Sequence, residues 1–195
     1  IGTTLFGVFS LPVLTAFLTP SEYGILGLAL TMLALLLPLN TFSNEHNVQK
    51  MRTNSSLEKY YNYWNTLCSI SFLLFTVAFS LGLLIIYMFN LPPIFCLIPV
   101  LAFTRAFRSL KQAELTVTEK EFLYGMSTLL VAVFSFIITF TIFYFYNSSA
   151  SIRVIGLLLA EISVCVFLLK IRFRFKFNTL EIKEIMLFGV PLMIS

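Results

Sequence analysis

Apolar residues run along this chain in long blocks separated by short clusters of charge. No charged residue occurs in Tyr23–Asn44, Tyr60–Thr104 or Phe122–Ile152. Roughly 20 residues at 1.5 Å rise cross a hydrocarbon core about 30 Å thick, so an uncharged run of about 18 already predicts a transmembrane helix. The second run is too long for one crossing. Asn90-Leu91-Pro92-Pro93 divides it, because proline removes a backbone donor and turns its predecessor away from helix.

Capping chemistry marks where the helices begin. Thr19-Pro20-Ser21-Glu22 has a threonine cap, a proline at the first helical position and a glutamate at N3. Ser55-Ser56-Leu57-Glu58 and Thr118-Glu119-Lys120-Glu121 repeat the pattern, and Asn178-Thr179-Leu180-Glu181 varies it. The predicted spans are about Ile1–Thr19, Ser21–Phe42, Trp64–Phe89, Pro93–Gln112, Phe122–Tyr146 and Ile152–Leu169, with a seventh starting near Ile185. Tyr60, Tyr61, Tyr63 and Trp64 are expected to form an aromatic belt at the membrane interface, as are Tyr144 and Tyr146. The expected fold is all-α, a polytopic transmembrane helical bundle of six spans plus the start of a seventh. The chain opens inside an apolar segment and stops short of completing a seventh crossing, which suggests a longer parent protein.

Composition agrees with membrane residence. Of 195 residues, 58% are hydrophobic and 11% charged, against roughly 25% charged in soluble domains. Charge placement then sets orientation. Lys50, Arg52 and Lys59 follow the second span, and Arg105, Arg108, Lys111 and Lys120 close the fourth. Lys170, Arg172, Arg174, Lys176 and Lys183 follow the sixth; only Arg153 lies opposite. The positive-inside rule makes the basic loops and the N-terminus cytoplasmic. The net charge of +4 is therefore a topology signal, and nucleic acid is not an expected partner. Cys68, Cys96 and Cys165 lie inside apolar runs without Cys-x-x-Cys spacing and read as small apolar side chains. His46, the sole histidine, has no acid–histidine pattern around it. Nothing here indicates a catalytic residue, a metal ligand or a cofactor.

All nine acids are glutamates, and most fall at helix starts; Glu45, Glu114 and Glu161 do not. Glu161 lies about 15 Å along the sixth span, where a charge costs at least ~2.5–3.5 kcal/mol. Two readings stay open for it. It is a protonated carboxyl bonded to a neighbouring helix, with Gly156 and Ala160 providing a small-residue packing face, or an ion-coupling carboxylate facing an aqueous cavity. Arg105 lies about 18 Å down the fourth span, with Arg108 and Gln112 on the same face at i+3 and i+7. Arg108 suits interfacial snorkelling. Arg105 sits deeper, and arginine suits bidentate phosphate recognition, so it is the candidate cavity cation. Arg105 and Glu161 share a depth and are expected to pair or to line one cavity. Lys170–Phe177 alternates basic and apolar residues, which is not a helical period. It reads as an interfacial linker with its cations on anionic phospholipid headgroups.

Several stretches together resemble the polysaccharide and O-antigen flippases of the multidrug/oligosaccharidyl-lipid/polysaccharide exporter superfamily. Leu18–Gly24 resembles the turn between the first two spans there, and Phe42–Arg52 the polar stretch ending the second. Gly156–Glu161 is similar to its sixth span, with alanine and glutamate where a glycine-glutamine pair is frequent, and Ile182–Pro191 to its entry into the seventh. Phe6-Gly7-Val8 recurs as Phe188-Gly189-Val190. The resemblance implies two six-helix lobes around a central cavity. Residues 1–177 would be the first lobe, truncated at its N-terminus and ending in the basic linker; residues 178–195 would start the second. It implies a non-enzymatic transporter of the bacterial cytoplasmic membrane. The implied partners are a polyprenyl-pyrophosphate-linked oligosaccharide and polysaccharide-assembly proteins. Arg105, Arg108 and Gln112 are the candidate substrate-binding residues and Glu161 the candidate ion-coupling residue. The competing readings are an ion-coupled multidrug antiporter of the same superfamily, a membrane polysaccharide polymerase or glycosyltransferase, and a scaffold.

Overall fold

The computed structural model describes residues 12, 14–92, 94–145, 148–171 and 174–194. Most of the first predicted span, the Phe6-Gly7-Val8 motif, Pro93, Tyr146, Arg172 and Phe173 lie outside them. The described residues are mostly helical, and none of them lies in a strand. The helices are α1 (Pro20–Thr41), α2 (Glu45–Asn54), α3 (Leu57–Phe89), α4 (Ile94–Val117), α5 (Glu121–Phe145), α6 (Ala150–Ser163) and α7 (Thr179–Ile194). A π-helical turn, Val164–Leu168, extends α6. Phe42, Ser43, Asn90, Glu119 and Lys170 all have positive φ, and each lies just past a helix C-terminus.

Two caps form as expected. Thr19 Oγ1 accepts from the Glu22 amide at 3.3 Å, and Asn178 Oδ1 accepts from the Leu180 amide at 3.1 Å. The second box is shifted by one residue, with Ser56 rather than Ser55 accepting from the Lys59 amide at 3.4 Å. The third is not a cap. Thr118 Oγ1 donates to the Glu114 carbonyl at 3.1 Å, because α4 runs on to Val117 and Thr118 closes that helix instead of opening the next.

Among the described residues, four helical segments are long and apolar enough to cross a membrane: Pro20–Asn54, Leu57–Phe89, Glu121–Phe145 and Ala150–Leu168. The chain is a membrane protein of several apolar helices. The fourth predicted span, α4, is long enough but carries Arg105, Arg108 and Lys111. The predicted seventh, α7, has 16 residues. Helix α4 is nonetheless the axis of the bundle, in contact with α1, α2, α3, α5 and α6 and buried at intervals from Ile94 to Leu115.

The two ends differ. At one, Leu18, Ile94, Phe143 and Ala150 share a core, and Glu22 Oε2 accepts from the Ala150 amide at 2.6 Å. At the other, Val48, Met51, Tyr60, Tyr63, Trp64, Leu110 and Ile185 pack together. Most lysines and arginines gather there, so we call it the basic end. The aromatic belt expected at Tyr60, Tyr63 and Trp64 is not one: α2 is an amphipathic helix that covers those rings, and only Tyr61 is exposed, at 56%. Asn44, also buried, joins the corner between α1 and α2 to its neighbours. Its Oδ1 accepts from Tyr63 Oη at 2.8 Å, and its Nδ2 donates to the Ile185 carbonyl at 3.3 Å. Gly189 of α7 lies so close to this corner that a Cβ would meet the Phe42 carbonyl at 2.4 Å.

Residues 174–178, before α7, lie in neither helix nor strand. The amides of Arg174 and Lys176 donate to Asn65 Oδ1 (2.9 Å) and Ser69 Oγ (3.0 Å) of α3, and the Phe175 ring meets Phe72 edge-on. Lys176 Nζ is bonded to Asn62 at 2.8 Å. Phe175 and Phe177 remain exposed.

Candidate functional site: a carboxylate between two arginines

Glu161 projects from α6 into the bundle and is completely buried. Helix α4 crosses opposite it, and the three-residue spacing of Arg105 and Arg108 puts both guanidinium groups on that side. Arg105 Nε donates to Glu161 Oε1 at 3.0 Å. Arg108 grips the carboxylate with two bonds, Nε to Oε2 at 2.5 Å and Nη2 to Oε1 at 2.9 Å. Both carboxylate oxygens are thereby satisfied, which is what a charge withdrawn from water requires. Two guanidinium groups against one carboxylate leave the cluster with a net positive charge. The two arginines are not equivalent. The Arg105 side chain keeps 29% exposure and Arg108 13%, so Arg105 is the accessible side of the cluster.

Gln112 does not join them. Its Nε2 donates to Ser127 Oγ (2.7 Å) and Thr128 Oγ1 (3.0 Å), tying the lower part of α4 to α5. One turn beyond Glu161, Cys165 Sγ approaches the Thr104 carbonyl at 3.7 Å, and this side of the α4–α6 contact lines an apolar cavity of about 240 Å³. The two other unassigned acids have partners at the basic end. Glu45 accepts from Ser109 Oγ at 3.1 Å, and Glu114 pairs with Lys111. Among the described residues no group of three or more histidine, cysteine or acidic side chains could hold a metal.

Sequence reasoning passed over Arg153. Its place at the very start of the sixth predicted span counted it only as the one cation of the opposite side. It lies within α6, half-buried, and its Nη1 donates to the Ser135 carbonyl and Thr139 Oγ1 of α5, both at 3.2 Å. The nearby Gly156 explains the close approach of these helices. A Cβ there would meet Thr139 Oγ1 at 2.3 Å, so α5 and α6 pack closely because this position has no side chain.

A family model described as "Polysaccharide biosynthesis protein" matches residues 13–195, nearly the whole chain. The chain belongs to that family. No curated protein and no solved structure matches it. Membership agrees with the resemblance to polysaccharide and O-antigen flippases carried by Leu18–Gly24 and Gly156–Glu161. It gives this member a role in polysaccharide biosynthesis or export.

Proposed function

We propose that this family member is part of a transporter that flips lipid-linked oligosaccharide across the bacterial cytoplasmic membrane by alternating access. The observation that carries the reading is the convergence of Arg105 and Arg108 on the buried Glu161. A guanidinium fork matches carboxylate and phosphate alike. Glu161 therefore occupies, with the chain's own carboxylate, an anion site of the kind a pyrophosphate needs. Arg105, the more exposed arginine, meets the substrate's pyrophosphate first. Arg108 stays with Glu161, so the bundle keeps its internal counter-charge while Arg105 changes partner. No residue is assigned a catalytic role.

The basic end is cytoplasmic in this reading, by the positive-inside rule. Residues 1–177 form the first lobe of six spans, α4 crossing in spite of its arginines because they point at Glu161 instead of lipid. Residues 178–195 open the second lobe. The exposed phenylalanines of the linker lie in the acyl boundary beside anionic headgroups.

Arg105→Ala tests the reading. Arg108 alone still bonds both oxygens of Glu161, so the variant should accumulate normally while surface polysaccharide falls steeply. Arg105→Lys, which keeps the charge and loses the fork, should be intermediate. Normal polysaccharide in the alanine variant would remove Arg105 from the transport path. An ion-coupled antiporter would respond differently: Glu161→Gln would abolish cation-driven efflux and leave polysaccharide untouched.

A further inference from the structure

At the basic end, away from the Glu161 cluster, a cavity of about 430 Å³ lies between α2, the end of α4, the start of α5 and the π turn that extends α6. Its polar wall holds Arg52, Lys111 and Lys120 around the single carboxylate of Glu114. Lys111 takes Glu114 Oε2 directly. Arg52 Nε stands 3.6 Å from Oε1, beyond hydrogen-bond reach; shut off from solvent, it has no hydrogen-bond partner among the described residues. Lys120 is exposed and has no ion pair among the described residues. The turn that ends α4 places it there: Glu119 adopts φ 56°, and the Lys120 amide closes back on the Leu115 carbonyl at 3.1 Å. Three cations thus face one acid, with one buried donor unused. Leucines supply the cavity's apolar wall: Leu115, Leu123, Leu168 and Leu169. Phe122 and Phe167, the chain neighbours of Leu123 and Leu168, are each 78% exposed, apolar surface that suits contact with lipid.

We propose that this cavity binds the headgroup of an anionic phospholipid, its phosphate among Arg52, Lys111 and Lys120 and its acyl chain along the leucine wall. A dissolved anion would have no use for the apolar wall. A zwitterionic headgroup would bring its own cation against three others. The proposal is independent of the transport reading, since none of these residues belongs to the Arg105–Glu161 cluster.

Native mass spectrometry of the full chain, released from non-ionic detergent with added phosphatidylglycerol, phosphatidylcholine or inorganic phosphate, tests it. The unmodified chain should retain phosphatidylglycerol and shed phosphatidylcholine. Lys120→Gln should weaken phosphatidylglycerol binding about fivefold, the share of one cation near an anionic headgroup, and Lys120→Glu should abolish the adduct. Lys183→Gln, at the same end but outside the cavity, should leave it intact. Four results overturn the site: binding unchanged in Lys120→Glu, equal loss in Lys183→Gln, equal retention of phosphatidylcholine, or displacement of the lipid by inorganic phosphate.

Discussion

Two of the contacts that helix α6 makes differ in kind. Towards α5 it presents Gly156 and meets Thr139 at a distance that no side chain could share. Towards α4 it presents Glu161 and meets two arginines through charged hydrogen bonds. The first contact is close-packed, with Arg153 adding hydrogen bonds to Ser135 and Thr139. A gap of about 0.5–1 Å already forfeits a quarter to a half of the dispersion attraction, so separating α5 from α6 is costly. The second is held by charge, which another anion can supply. A bundle that must keep one pair of helices together while another changes partner would be built in this way.

Removing the charge contact should have the largest effect. Glu161→Ala leaves two guanidinium groups facing each other without a counter-ion and should cost about 3–5 kcal/mol, read as a fall in the thermal midpoint and in the monodisperse fraction. Adding Arg108→Leu should recover much of it, since the repulsion then disappears. On the other face, Gly156→Ala should cost about 1–3 kcal/mol by overpacking. Thr139→Ala removes the hydroxyl in the way, so the double variant should be more stable than the sum of the singles predicts. Additive effects there would mean that the two helices are not in contact at this point.

The smallest effect lies outside both contacts, at the start of α7. Burial first, then the charge of Glu184, hold the Glu181 carboxyl above the usual carboxylate range, with Lys59 opposing. A carboxyl raised in the folded state weakens the fold when ionised; the loss starts to shrink as pH falls through its folded value and is gone below the ordinary carboxylate value. Glu181→Gln should therefore raise the thermal midpoint slightly at about pH 8 and leave it unchanged at about pH 4.

Much of this was legible in the sequence because membrane helices announce themselves by missing charge. The uncharged runs gave α1, α3, α5 and α6 within a few residues at most ends. Helix α2 was missed because three cations nearby read as a loop, while the signal for a buried face, Val48 and Met51 at i and i+3, is only two residues long. The aromatic belt failed for a related reason. Tyrosine and tryptophan suit an interface and a core equally, and only α2, lying across them, decides between the two. At the site, shared depth along two helices was enough to associate Arg105 with Glu161. The bidentate grip of Arg108 was not visible, because its position suited snorkelling just as well. Gln112 shared the arginines' face in projection, but its amide donates to Ser127 and Thr128 of α5 instead.

The linker before α7 is fastened to α3 by side chains, not by a backbone ladder. Asn65 and Ser69, one helical turn apart, receive the amides of Arg174 and Lys176. These two positions work like stitches on a strap. Alanine at both would remove these stitches while every helix kept its own hydrogen bonds, leaving the strap to the Lys176–Asn62 bond and the Phe175–Phe72 contact.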